Sequence, residues 1–158
     1  ITEVLALHRG GTDRSRADRV AELGQLVGLD DRQLGALPRA LSGGQRQRVA
    51  IARALAAEPR LLILDESVAA LDVSIQAQVL NLLADVRAST GISYLLISHD
   101  LAVVRQITDD VIVMHRGQVV ERGATREVLD DPQHEYTRLL RSSVPAPGWK
   151  PVRRTARA

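Results

Sequence analysis

The chain has 158 residues, of which 45% are hydrophobic and 25% charged, a composition typical of one globular domain. It contains no cysteine, which excludes disulfides and thiolate sites, and no apolar run approaches the roughly 18 residues of a membrane span. We therefore expect no direct membrane insertion. The net charge is +2, but the basic residues that follow Pro145 account for it, so we also expect no nucleic-acid binding.

The first forty residues are predicted to be mostly helical. Apolar residues between Val20 and Val27 recur at steps of three and four, and Gly28 is placed to end that helix. The polar stretch from Arg9 to Arg19 is predicted to be a loop or a helix end. A short turn or helix should then lead into Leu41.

The segment Leu41–Gln45 opens the next predicted helix. Ser42 and Gln45 have the spacing of a capping box, which satisfies free backbone N–H groups. Gly43 and Gly44 would each cost about 1 kcal/mol relative to alanine inside a helical turn, so capping alone does not explain them. Bare N–H groups at a helix N-terminus bind phosphate well, and we favour that interpretation over plain capping.

The middle of the chain alternates helices with apolar strands. The helix that Ser42 opens should end before Pro59. The apolar run Leu61–Leu64 predicts a strand buried on both faces. Asp72 is predicted to cap a long helix that closes at Thr90-Gly91 and turns an apolar stripe inward.

A second buried strand is predicted from about Ile92 to Ile97, and Asp100 can cap the helix that follows it. Two further strands, 111–114 and 118–121, should be joined by a tight turn. Short helices are predicted at 125–130 and 134–142, followed by a loose tail. The alternation of strands and helices indicates an α/β fold with a parallel sheet.

Polar side chains follow both strands of this predicted sheet. Asp65 offers a hard oxygen ligand suited to Mg²⁺, directly or through water. Glu66 could deprotonate a water that attacks a phosphoryl group, and His99 could hydrogen-bond that group. An acidic pair after a strand is also common in turns, and a single histidine at a strand end is often structural. The order and spacing of all three favour the chemical interpretation.

Four segments, taken together, resemble the nucleotide-binding domain of ATP-binding-cassette (ABC) transporters. In chain order they are similar to its signature motif, Walker B strand, D-loop and switch histidine: Leu41–Gln45, Leu61–Glu66, Ala70–Asp72 and Ser98–Asp100. The resemblance covers about residues 37 to 123. It implies that ATP and Mg²⁺ are bound between paired subunits, with the following contacts in this chain: Ser42, Gly43, Gly44 and Gln45 for the nucleotide, Asp65 for Mg²⁺, Glu66 for the attacking water, His99 for the γ-phosphate and Asp72 for the subunit contact.

Within that family, Asp131–Leu140 and Val144-Pro145 resemble the carboxy-terminal segment of oligopeptide and dipeptide importer ATPases. Glu135 stands where that segment usually has proline. Ser67–Ala69 also departs from the usual Pro-Thr and a small residue, from which we expect altered loop stiffness more than lost chemistry. The resemblance implies an ATPase subunit that energises peptide import. It would pair with a second ABC ATPase subunit, identical or different, and dock on permease subunits at the cytoplasmic face of the membrane.

A Walker A motif is absent, since the only lysine is Lys150. We therefore expect the carboxy-terminal portion of a P-loop NTPase-like ABC ATPase fold, with a mainly parallel sheet flanked by helices and an α-helical subdomain. The expected divisions are part of the helical subdomain at 1–40, the catalytic core at 41–123, carboxy-terminal helices at 124–145 and a disordered basic tail at 146–158. By the same resemblance the Walker A strand would lie between the predicted strands 92–97 and 111–114, so that its absence would leave two buried strand edges and an open cleft. The isolated chain should be inactive and prone to associate, because each unpaired buried backbone group costs about 1–3 kcal/mol.

Two other functions stay open. The chain could be a non-enzymatic partner that lends its signature segment to a complete ABC ATPase. It could also belong to an ABC-type DNA-repair ATPase, which we disfavour because those proteins carry long coiled coils and no sustained heptads occur here.

Overall fold

A computed structural model describes residues 1–8, 12–69 and 71–143. Expectations about residues 9–11, Ala70 and the tail from Val144 onward lie outside the described residues. The chain folds as two compact units, which divide between Ile107 and Thr108. The domain divisions expected from the sequence stay predictions.

The first unit begins with three helices, α1 (Thr2–His8), α2 (Asp13–Leu26) and α3 (Asp31–Leu34), and a short 3-10 helix. The expected loop or helix end before Arg19 is helical from Asp13 onward. The reason is the cap at Thr12, whose side chain accepts a hydrogen bond from the backbone of Ser15. Gly28 ends this stretch as predicted, with a positive φ of 67° that glycine adopts without strain.

The rest of the first unit consists of α4 (Gly43–Leu55), β1 (Leu61–Asp65), α5 (Val73–Thr90), β2 (Ser93–Ile97) and α6 (Leu101–Ile107). The strands β1 and β2 pair in parallel, in a register that runs from Leu61 opposite Ser93 to Asp65 opposite Ile97. Their carboxyl ends therefore meet at one edge of the sheet, which confirms the α/β interpretation and brings the residues that follow them together.

Only one face of this two-stranded sheet is covered by the helices of the unit. Leu62 and Leu64 are buried in the core, whereas Leu61 and Ile63 are 50% and 59% exposed. On β2, Leu95 and Ile97 are each 48% exposed. The predictions that β1 is buried on both faces and that β2 is a buried strand were therefore wrong, because the described helices of this unit pack against the other face alone. The core itself is aliphatic and includes Leu23, Val27, Ile51, Leu55, Leu62, Leu64, Val79, Leu83 and Val86.

The second unit contains an antiparallel hairpin and two short helices. Its elements are β3 (Asp110–His115), β4 (Gln118–Ala124), α7 (Thr125–Asp130) and α8 (Glu135–Ser142). Arg116 and Gly117 form the predicted tight turn, with φ values of 50° and 79°. The hairpin and both helices confirm the sequence prediction. Because β3 pairs with β4, the parallel sheet has two strands in the described part of the chain.

Candidate functional site

The signature segment, Leu41–Gln45, presents Ser42 and Gly43 to solvent at the beginning of α4, whereas Leu41 is buried. The Ser42 hydroxyl accepts a hydrogen bond from the Gln45 backbone N–H at 3.2 Å, and the Gln45 side chain accepts one from the Ser42 N–H at 2.8 Å. The capping box is thus real, and it leaves Ser42 and Gly43 exposed. The Arg46 side chain also binds the residue before the capping box, because its Nη1 donates a hydrogen bond to the Leu41 carbonyl at 2.7 Å.

The two glycines of this segment have different surroundings. Gly43 is exposed, and a Cβ placed on it would lie 3.6 Å from Leu71, an ordinary van der Waals distance. Gly44 is buried, and a Cβ there would lie 2.6 Å from Cγ2 of Ile75 on α5. Gly44 therefore allows α4 and α5 to approach closely, whereas Gly43 leaves open backbone at the helix end. The sequence did not distinguish these two roles.

Asp65 and Glu66 stand at the carboxyl edge of the parallel sheet. Asp65 is the exposed last residue of β1. Glu66 leaves the strand with a positive φ of 43°, and its backbone N–H donates to the Ile97 carbonyl at 3.0 Å. A non-glycine residue in this left-handed region carries backbone strain, which is often found at functional sites. The strained turn directs Glu66 off the line of the strand.

Glu66 and His99 are in direct contact. His99 Nδ1 lies 3.1 Å from Glu66 Oε1, and the two side chains remain 75% and 60% exposed. An ionised carboxylate can only accept a hydrogen bond, so Nδ1 carries the proton in this contact and Nε2 is left for another partner. The structure thus brings together the two residues predicted to act on a phosphoryl group and its water, beside Asp65.

Asp72 precedes α5 as its N-cap residue, so its predicted position is confirmed, but the prediction that its side chain caps the helix was wrong. Its side chain makes no capping hydrogen bond, unlike that of Asp100, whose Oδ1 accepts from the Ala102 and Val103 backbones at 2.9 and 3.4 Å. Asp72 is exposed. An exposed carboxylate that does not serve its own helix suits an intersubunit contact, which stays a prediction.

The loop that departs from the family pattern, Ser67–Ala69, forms a turn closed by backbone hydrogen bonds. Ala69 donates to the Glu66 carbonyl at 3.1 Å, and Leu71 donates to the Val68 carbonyl at 3.2 Å. The Val68 side chain is buried in the core, and the Ser67 hydroxyl oxygen is buried without a hydrogen-bond partner. Val68 therefore attaches the turn to the core, and the Ser67 hydroxyl is left without a hydrogen bond.

The exposed N-terminal end of α4 is chemically suited to a phosphate group. The backbone N–H of exposed Gly43, the first residue of α4, has no partner within its own helix, and no Cβ covers it, whereas Gly44 is buried against α5. Among residues 1–8, 12–69 and 71–143, no group of three or more His, Asp or Glu side chains could hold a metal ion. Asp65 alone would thus share Mg²⁺ with water and phosphate oxygens, which is the usual way that Mg²⁺ is bound.

Comparison with known proteins shows which proteins the chain resembles. Residues 2–69 match the family model described as "ABC transporter". The chain is 48% identical over 146 residues to the probable D,D-dipeptide transport ATP-binding protein DdpF of Escherichia coli K12, an alignment that covers 92% of this chain and 47% of that protein. Over 92% of its own length the chain is thus similar to part of an ABC transporter ATP-binding protein.

Solved structures of ABC transporter proteins have a similar fold. The fold matches CbiO1 of Clostridium perfringens, part of the ABC transporter complex CbiONQ, with a TM-score of 0.72 and 32% identity, covering 82% of this chain and 51% of that one. It also matches the dimeric cassette MJ0796 bound to ADP and Pi, with a TM-score of 0.65 and 31% identity over 78% of this chain and 53% of that one. The chain thus spans about half the length of these relatives. Within its described residues, no helix is long and apolar enough to cross a membrane.

Proposed function

We propose that the chain forms part of the ATP-hydrolysing subunit of an ABC importer of oligopeptides or dipeptides. The observation that carries the proposal is the contact between Glu66 and His99 at the carboxyl edge of the sheet, next to Asp65, in a chain whose Ser42-Gly43 tip is exposed. The resemblance of the chain to a dipeptide transport ATP-binding protein supports the substrate class.

Each residue has a role that its surroundings support. Glu66 is the base that takes a proton from water, and His99, oriented by its hydrogen bond to Glu66, offers Nε2 towards the reacting phosphoryl group. Asp65 is the carboxylate that serves Mg²⁺, directly or through water. When bound, MgATP supplies the phosphoryl group and the charge neutralisation that its transfer requires.

The signature segment serves a second nucleotide site, on the opposite subunit. In the described part of the chain, no hydrogen bond or ion pair joins Ser42–Gln45 to Glu66 or His99. The Ser42 hydroxyl and the first N–H groups of α4 would meet the γ-phosphate of an ATP held by the partner, and Asp72 would contact that subunit. Such an arrangement needs a dimer, and one solved relative is a dimer bound to ADP and Pi.

The remaining partners are permease subunits in the cell membrane. The solved relative CbiO1 is part of a transporter complex, and no helix in the described ranges could itself span a bilayer. We propose that the permease holds the chain at the cytoplasmic face of the membrane. The Walker A lysine of the nucleotide site would be supplied from outside the described residues, which contain no lysine.

A hybrid cassette tests the proposal. In this hybrid, the matching segment of the E. coli D,D-dipeptide relative is replaced by the full chain, so that the relative supplies its other half. The hybrid is expected to hydrolyse MgATP, and Glu66→Gln should lower the rate by about 10²–10⁴-fold because a general base is lost. Glu127→Gln, an exposed acid on α7, is the control for a lost negative charge.

Circular dichroism verifies that each variant is folded. Hydrolysis that is equal in the Glu66→Gln and Glu127→Gln hybrids would overturn the proposal.

One observation favours a second candidate, a non-enzymatic partner that lends its signature segment to a complete cassette. The Ser42-Gly43 tip is exposed and shaped by its own capping box, so it does not depend on Glu66. In that case the isolated chain would restore hydrolysis to an ABC ATPase whose own signature serine has been replaced. Chain carrying Glu66→Gln would restore it equally well.

A further inference from the structure

We propose that the first turn of α5, Val73–Gln76, is a positioning element that links the signature segment to the segment bearing His99. The inference rests on the proposed function for its effect on hydrolysis. Two adjacent side chains carry it, Ile75 and Gln76, and no sequence pattern distinguished either residue beyond its place in a helix.

Ile75 fixes the signature segment through a close helix contact. Its Cγ2 methyl occupies the space that a Cβ on Gly44 would need, at 2.6 Å from that position. A β-branched side chain in a helix is restricted to essentially one rotamer, so this methyl has little freedom to move. The beginning of α4 is therefore held at a distance from α5 that Ile75 sets.

Gln76 reaches the other segment. Its Nε2 donates to Oδ2 of Asp100 at 3.4 Å, and both residues are partly buried. The other oxygen of the same carboxylate accepts the Ala102 and Val103 backbone N–H groups, and the Asp100 backbone N–H donates to the Ser98 hydroxyl at 3.0 Å. Asp100 is thus bound on several sides, and it directly follows His99.

Adjacent residues on a helix point to different sides, so one turn of α5 can contact both segments at once. Any displacement of that turn would shift the Ser42-Gly43 tip and the His99 segment together. Asp72 immediately precedes the turn and would move with it. A misplacement of about 1 Å can cost about 10²-fold in rate even when it arises away from the reacting atoms. Ile75 and Gln76 are therefore positioning residues, which act through Gly44 and Asp100.

The test uses Gln76→Leu in the hybrid cassette. Leucine keeps most of the side-chain volume but donates no hydrogen bond to Asp100, so kcat is expected to fall about tenfold with little change in the KM for ATP. Gln76→Lys, which keeps a donor, should restore most of the rate. Gln78→Leu is the matched control, because Gln78 is an exposed glutamine on the same helix.

Hydrogen exchange gives a readout that needs no activity. In the same hybrid, Gln76→Leu should speed exchange at the Ala102 and Val103 amides, and Gln78→Leu should not. The inference is overturned if the two glutamine variants behave alike in both measurements, or if Gln76→Leu lowers only the melting temperature. If Glu66→Gln leaves hydrolysis unchanged, the proposed function fails, and the exchange data still decide the link between Gln76 and Asp100.

Discussion

Gly43 and Gly44 are identical in sequence and differ in what a side chain would meet. The Cβ position of Gly44 lies 2.6 Å from a methyl of Ile75, and that of Gly43 lies 3.6 Å from Leu71. Gly44 is thus required by helix packing, whereas Gly43 leaves the helix end open to a ligand. A substitution at each should therefore have a different physical consequence.

We predict that Gly44→Ala lowers the free energy of unfolding of the hybrid cassette by about 1–2 kcal/mol. Overpacking against Ile75 costs about 1–3 kcal/mol, and the higher helix propensity of alanine returns up to about 1 kcal/mol. Gly43→Ala is the matched control and should be neutral or slightly stabilising. Urea unfolding measures both.

A second substitution separates packing from other causes. Ile75→Ala removes the Cγ2 methyl, so Gly44→Ala should cost less in an Ile75→Ala background than in the parent. Equal costs in both backgrounds would contradict the contact between the two helices as the reason for this glycine.

At the scale of elements, a carboxylate on the hairpin binds the two residues that lead into α8 in the second unit. Glu121 on β4 accepts hydrogen bonds from the backbone N–H groups of Gln133 and His134, at 2.7 and 3.1 Å. Burial works to raise the pKa of Glu121, but the hydrogen bonds that it accepts outweigh burial and hold the pKa below its usual value. The segment that resembles the importer ATPases is thus anchored by a residue that sequence reasoning placed only in a strand.

We predict that acid releases this anchor. Because the pKa of Glu121 is lowered in the folded state, its contribution to stability is present above pH 4.5 and is lost as the pH falls through the folded-state value. Amide exchange at Gln133 and His134 should therefore accelerate as the pH falls below 4.5, relative to other amides of the same unit.

Glu121→Gln should show this faster exchange already at neutral pH, since an amide has one acceptor oxygen for two donors. Glu127→Gln, on the exposed side of α7, is its control. Protection that is the same in both variants would contradict the anchor.

At the scale of the whole molecule, the most prominent feature is the apolar face of the parallel sheet that the helices of the first unit leave exposed. It carries four large aliphatic side chains that are about half exposed: Leu61, Ile63, Leu95 and Ile97. Contiguous apolar surface of this kind marks an interaction site or promotes aggregation. The chain spans 47% of the length of its dipeptide-transport relative, so we propose that this face is covered by the other half of a cassette.

We predict that Ile63→Lys has opposite effects in two settings. In the isolated chain it should reduce association, measured by light scattering, because it places a charge on an exposed apolar face. In the hybrid cassette it should lower the melting temperature, because the same position would be covered and burial of an unpaired charge is costly. Leu7→Lys, at an 83% exposed leucine on α1, is the control and should change neither. Ile63→Lys that is neutral in both settings would contradict a covered face.

The sequence by itself determined what depends on local spacing and on residue type. It placed the capping box of Ser42, the α/β alternation, the hairpin at Arg116-Gly117 and the polar residues that end each strand, because turns, caps and periodicity are short-range properties. It also gave the resemblance to ABC ATPases, which the comparisons confirm. The domain divisions and the site roles stay predictions.

Only the tertiary structure decided which residues meet across the chain. It brought Glu66 against His99, separated the roles of Gly43 and Gly44 and tied Gln76 to Asp100. It also showed that β1 is covered on one face only. An apolar run such as Leu61–Leu64 has the same sequence pattern whether one or both faces of the strand are covered. The physical reason is that these contacts depend on how segments distant in sequence pack together. A local pattern of residues specifies neither the distance between two such segments nor which face of a strand they cover.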